Sequence, residues 1–412
     1  MKIKNLLWLI PALCLALSCE KLERESNLTP DELAPLVPIN LTKADRQVRD
    51  ASNDFGLSIF RHLYSHSDGT VAFSPLSLSL AMAMAAEGAE GETYQQFSDV
   101  IGWNASTKEE VGSYYRKMIE GLAKVDTQVH LNSANSLWAA GDLTLKDGYK
   151  SLLERYFDAE GYTVDFSLPA TMDRINQWCS DKTEGKIPQM LTDLNPNTKL
   201  MLINALLFKA PWSHSWDIKK NRVFTTAGGA KVKKDYLFVK DQLMDYGDFG
   251  DCELVRARYG NGAYRMDIIL PKEGKTLADI LPILESDDIN YELARSEVTL
   301  YLPKWATDYS TGDNLIPAMQ AQGLTLPFTP AADFSGISDK PLLVNMVEQK
   351  VRIDVTEKGT EFAAVTVVGM FTSGIGKPVT PPKVTVDVNR PFIYTIREAT
   401  SGTILLLGTL SN

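Results

Sequence analysis

Val48, Ala51, Phe55, Ile59 and Leu63 recur at helical spacing and predict a first amphipathic helix. Ser74-Pro75 predicts the start of a second, with Ser as cap and Pro at the first helical position. That second helix is apolar nearly all round as far as Gly88 and therefore belongs in the core. Ser106 and Glu109 read as a capping box opening a third helix that ends near Ala123. Beyond Gln128 strand-like runs predominate, at 129–139, 199–208, 264–270, 297–303, 342–356, 383–388, 391–397 and 403–408, with helical patterns at 147–157 and 171–182. The run 200–208 is apolar on both faces and predicts a central strand covered on each side. Asn204 sits in its middle; a buried amide must be hydrogen-bonded, so it is either a structural pair or a lock. Helices first and mixed strands later predict an α+β protein with a large sheet. No interior linker appears, so residues 43–412 read as one domain.

The chain of 412 residues carries 42 Lys+Arg against 52 Asp+Glu, a net charge of −10, which argues against nucleic acid as a partner. The amino end changes the picture more. Lys2 and Lys4 precede an apolar run from Leu6 to Leu17 that is too short to span a bilayer, the layout of an export signal over residues 1–18. The Ser18–Cys19 junction resembles a bacterial lipobox, which would leave Cys19 as a lipidated first residue; an ordinary secretory peptide is the alternative. Residues 19–42, with Pro30, Pro35 and Pro38, read as a tether. The expectation is an exported protein, lipid-anchored to a bacterial membrane, the outer one, on its periplasmic or surface face. Cys179 and Cys252 remain in the body, as a disulfide or as two buried thiols.

Catalytic motifs are missing. His62 and His66 stand four apart, but no Glu follows His62, so a solvated helix face is expected rather than a metal site. Ser58 and Ser373 lack the glycines of a nucleophile elbow, and neither Gly260-x-Gly262 nor Gly374-x-Gly376 has the third Gly of a phosphate loop. The reading is of a protein that is not an enzyme and uses no cofactor.

The unusual segment lies between Val355 and Pro391. Residues 362–372 are small, β-prone and uncharged, followed by a breaker-rich stretch through Pro382. Such a run is either a buried strand or a loop with a strand's sequence. Glu357-Lys-Gly-Thr-Glu-Phe-Ala-Ala-Val-Thr366 resembles the hinge of the serpin family. Further landmarks follow in order: Phe73-Ser-Pro-Leu-Ser-Leu-Ser79, Gly88-Ala-Glu-Gly-Glu-Thr93, Asn135-Ser-Leu137, Ile175-Asn-Gln-Trp178, Thr183-Glu-Gly-Lys-Ile187, Asn204-Ala205, Phe208-Lys209, Trp212, Leu302-Pro-Lys304, Ala332-Asp-Phe-Ser-Gly336 and Arg390-Pro-Phe392.

The resemblance implies the serpin fold, with helices on a large mixed sheet, two further sheets and an exposed reactive-centre loop at about 357–382. It implies a covalent complex with a target protease, made when the cut loop enters the sheet as a new strand. The hinge would be Glu357, Gly359, Thr360, Phe362, Ala363 and Ala364, and the attacked bond Ser373–Gly374, with Phe371 and Thr372 as alternatives. Ser74, Ser77, Asn204, Asn345 and Gln349 would form the region where the sheet opens. Phe362 departs from the hinge pattern's Ala, Gln349 from a usual His, and Asn345 from a usual Ser; Gln349 is expected to bond to Asn204. From Glu357 to Ser373 a strand would span roughly 53 Å at about 3.3 Å per residue. Acids offset the cations of the 106–124 helix, so no polyanion site is expected, and the protein is expected to be a monomer.

Overall fold

The computed structural model describes residues 35–285, 292–360 and 380–412. Its helices are α1 Lys43–Ser65, α2 Pro75–Glu87, α3 Gly91–Ile101, α4 Lys108–Leu122, α5 Asp147–Phe157, α6 Pro169–Lys182, α7 Leu277–Ile280 and α8 Leu315–Ala321. The strands are β1 Ala72–Phe73, β2 His130–Ala140, β3 Ala159–Val164, β4 Leu200–Pro211, β5 Asp217–Thr225, β6 Lys231–Asp248, β7 Cys252–Tyr259 and β8 Tyr264–Pro271. The remainder are β9 Ala294–Pro303, β10 Trp305–Ser310, β11 Met346–Glu348, β12 Lys350–Thr356, β13 Gly359–Thr360, β14 Lys383–Asp387, β15 Phe392–Glu398 and β16 Ile404–Leu410.

Two sheets result. One runs β10-β12-β13-β4-β2-β3, with β11 also on β4. The other runs β1-β16-β15-β8-β7-β6-β9-β14, with β5 on the edge of β6. The two further sheets expected from the resemblance are thus one continuous path. The cause is β6, whose 18 residues ladder with β9 along 236–246 and with β7 along 245–248.

Local chemistry explains the helices. The Thr42 side chain accepts from the Asp45 amide while Asp45 accepts from the Thr42 amide, closing α1 as a reciprocal cap. Val48, Phe55, Ile59 and Leu63 are buried along its inner face. In α2, Ser74 caps, Pro75 opens, and all thirteen residues are buried. The third expected helix is displaced by one residue. Its cap is Thr107 with Glu110, not Ser106 with Glu109, because the Ser106 amide is already bound to Trp103 O in the preceding turn. The expected tether also meets the body before position 42: Ile39 is buried and its amide donates to Thr400 Oγ1 at 2.9 Å.

β4 has the predicted two-sided cover. Leu202 and Asn204 face Leu78 of α2. Met201 shares the opposite face with Trp138, which meets Trp178 of α6 edge to face. The run 342–356 is two strands rather than one, interrupted at Gln349, whose amide and carbonyl bond to Thr311 instead of a ladder.

Candidate functional site

Among the described residues the seven-stranded sheet has a slit, a stretch of β4 laddered on one side only. β2 ladders with β4 without interruption, Ala139↔Leu200 through His130↔Lys209. On its other side β4 has two separate partners. At the foot, Met346–Glu348 pair in parallel with Met201–Ile203. At the head, Gly359 and Thr360 pair antiparallel with Pro211 and Ala210. Between them, among the described residues, no ladder joins positions 204–209 to β12, although β12 is fully paired to β10 on its far side. Among the described residues β13 is the only element between the two flanking strands there, and it is antiparallel to both.

The head is held by an aromatic stack. Thr360 is 2% exposed and shares a hydrogen bond of 2.7 Å with the Tyr259 hydroxyl. Tyr259 stacks on Trp212 at 4.3 Å, and Trp212 Nε1 donates to Thr356 O at 2.8 Å. Gly359 has φ +132°, and a Cβ at this position would collide with Ala210 O, so the turn into the slit requires glycine. Glu357 is paired to Lys304 at 2.6 Å. Burial would raise its carboxyl, but the Lys304 hydrogen bond and charge hold it below its ordinary value.

At the foot, Ser77, Asn204 and Gln349 line one small void with Leu78, Val347 and Glu348. Asn204 Nδ2 donates to Asn135 Oδ1 at 2.6 Å, and Asn135 Nδ2 donates to Phe157 O. Gln349 does not take the expected partner. Its Oε1 accepts from the Ser74 amide at 2.6 Å and its Nε2 donates to Ser74 O at 3.0 Å, clamping the start of α2. Ser74 Oγ in turn bonds Ser77 Oγ at 2.9 Å. Asn345 is separate from this group; its Oδ1 accepts from the Lys199 amide below β4. Of the expected site residues, Glu357, Gly359 and Thr360 thus gather at the head and Ser74, Ser77, Asn204 and Gln349 at the foot. Cys19, Phe362, Ala363, Ala364, Phe371, Thr372, Ser373 and Gly374 lie outside the described residues.

A profile of the family Serpin (serine protease inhibitor) matches residues 50–412. The chain belongs to the serpin family. Iripin-8 of Ixodes ricinus is 34% identical over 376 residues, covering 88% of this chain and 92% of that protein. Iripin-2 of the same organism is 32% identical over 379 residues, 89% of this chain and 94% of its own. Among solved structures, the native state of the thermophilic serpin tengpin superposes with a TM-score of 0.79 at 27% identity, covering 92% of this chain and 97% of that one. Thyroxine-binding globulin in complex with thyroxine has the same fold, with a TM-score of 0.78 at 22% identity over 88% of this chain and 98% of that one.

In this serpin, sequence reasoning named Trp212 only as a landmark and missed Tyr259 and Thr311 altogether. No local pattern marks these two, since each acts through a contact far away in the chain. Cys179 and Cys252 are free and buried, which selects the second of the two readings. Burial, with Glu348 nearby, pushes the Cys179 thiol up to about 12. His62 and His66 stack at 4.2 Å on the first helix, and among the described residues no cluster of metal-binding side chains occurs.

Proposed function

We propose that this serpin is a single-use protease inhibitor, carried out of the cytoplasm by its leader and held to a membrane by lipid on Cys19. A protease nucleophile attacks the Ser373 carbonyl, the amine of Gly374 leaves, and the acyl-enzyme remains attached to the amino-side half of the loop. That half then enters the slit as a strand and draws the protease along the sheet.

The single observation that carries this reading is the slit with β13 at its head. Continued in the same register, an inserted strand would pair position 366 with Asn204 and Gln349, and position 370 with Leu200 at the foot of β4. From position 367 onward it must part the ladder between Met346–Glu348 and Met201–Ile203. The full length of β4 is therefore used just short of Ser373, which supports the attacked bond at 373–374. Small residues there suit elastase- or subtilisin-like proteases; Phe371 suits a chymotrypsin-like one.

A second reading, a non-inhibitory serpin-fold binding protein, is favoured by Phe362. Thr360 meets the Tyr259 hydroxyl in the buried head, and in a strand continued in its register position 362 would share its face, opposite Phe208 and Ile353. Phe208 already meets Tyr259 and Tyr264 edge-on, each at 5.4 Å. A second ring beside it overpacks the site by about 1–3 kcal/mol. Incubation with elastase-, subtilisin- and chymotrypsin-like proteases separates the readings. An SDS-resistant band at the summed mass is expected, with Phe362→Ala raising its yield. Clean cleavage of the loop with no such band from either protein would leave the second reading.

A further inference from the structure

Between positions 217 and 241 this acidic chain carries seven Lys and Arg against three Asp. Lys219, Arg222 and Lys234 lie over aromatic rings, at 4.3 Å from Phe238, 3.9 Å from Tyr301 and 5.4 Å from Phe224 respectively. These three are seated against the sheet. Lys220, Lys231, Lys233 and Lys240 differ: all are exposed, and none has an ion pair or hydrogen bond among the described residues. Two of the five exposed large apolar side chains among the described residues stand among them, Ile218 at 37% and Val223 at 48%, with Val223 directly opposite Lys233.

This hairpin is fastened to the strand that leaves the bait loop. Arg222 Nη2 bonds Asp387 Oδ2 of β14 at 2.8 Å, and the Thr225 amide donates to Asn389 O at 2.8 Å. The hairpin is thus joined to the strand that follows the loop at Asp387 and Asn389, four and six residues beyond that strand's first residue, Lys383. Lysines on an edge strand also discourage edge-to-edge pairing, as does the bulge at Asn221, and that alone would account for Lys219 and Lys220. It does not account for unpaired cations on β6 beside exposed Ile and Val. Cations interspersed with apolar side chains fit a protein surface, since a polyanion has no use for Ile218 and Val223.

Resting on the inhibitory reading above, we propose that the β5–β6 hairpin is a docking surface for proteases that carry an acidic face beside the cleft. It steers such a protease onto the loop before any bond is cut. Like charges on other enzymes would be turned away.

The test uses two elastase-like proteases of matched specificity and opposite net charge. The rate of loop cleavage, which precedes trapping, is measured at about 20 and about 300 mM salt. The anionic enzyme is expected to cut the loop roughly tenfold faster at low salt, an advantage lost at high salt. Lys220→Gln/Lys231→Gln/Lys233→Gln is expected to remove both the preference and the salt dependence at unchanged melting temperature. If that variant fails to fold, the comparison of the two enzymes on the natural protein still decides. Equal rates for the two enzymes, or retention on heparin with no preference between them, overturn the proposal. Covalent complex is scored in the same reactions. Cleavage with charge preference but no complex fails the trap and keeps the docking surface; complex without charge preference does the reverse. No cleavage by either enzyme overturns both.

Discussion

Thr360→Arg is expected to leave loop cleavage at its normal rate while covalent complex falls at least about a hundredfold. Thr360 is enclosed by Val355, Ala210 and the Tyr259 hydroxyl. A guanidinium there would be buried against the Tyr259 hydroxyl, and an uncompensated buried charge costs about 3–5 kcal/mol. The arginine would keep β13 out of the slit, so the first step of strand addition becomes unfavourable. Acylation itself happens far from this position and is untouched. The measurement is the ratio of complex to cleaved protein on a denaturing gel, with Thr360→Ser as the control that retains trapping. Undiminished complex from the arginine variant would mean that the hinge does not need to enter at this point.

The second large effect concerns Glu87, the last residue of α2. It is 8% exposed, and burial raises its carboxyl from the ordinary 4.5 to about 7, with Lys108 only partly opposing. Its place at the carbonyl end of a buried helix adds to the penalty on the anion. Gly112 of α4 makes room for it: a Cβ there would lie 3.2 Å from Glu87 Oε1 and 2.7 Å from the Tyr156 ring. Glu90 and Tyr94 also face this junction, Glu90 and Tyr94 both contacting Lys108. The raised folded-state value fixes the sign. Below about pH 4.5 the group is protonated in both states and its favourable contribution is complete; as pH rises towards 7 the unfolded chain ionises first and that contribution is lost. The difference amounts to about 3 kcal/mol. Glu87→Gln is expected to stabilise the protein by about 2–3 kcal/mol at pH 8 and hardly at all at pH 4, read as melting temperatures across that range. An equal change at both ends would contradict the assignment.

How far the chain could be read without coordinates differs from element to element. The second helix was legible because Ser74, Pro75 and an unbroken apolar run each carry a local signal. The third was legible to within one residue, since Ser106 and Thr107 have nearly the same capping chemistry and only the bond to Trp103 O separates them. β5 and β6 were not legible. Their alternation is masked by lysines on both faces, some of which cover rings instead of facing water. The turn at Gly359 was readable because a glycine among small residues is a local feature, and its backbone there has φ +132°. The partner of Gln349 was not, as the Ser74 backbone lies 275 positions away and carries no sequence signature. The slit itself is a property of pairing between distant strands, invisible until β4 and β12 are placed side by side.

All of this depends on the starting fold lying above a lower-energy arrangement of the same chain. Differential scanning calorimetry before and after a single cut between positions 370 and 377 tests that directly. Ten further residues placed between β4 and β12 would add about ten ladder hydrogen bonds at roughly 1 kcal/mol each. A rise in melting temperature of roughly 10–15 °C is therefore expected. An unchanged or lower melting temperature, with the cut confirmed by mass, would contradict the account.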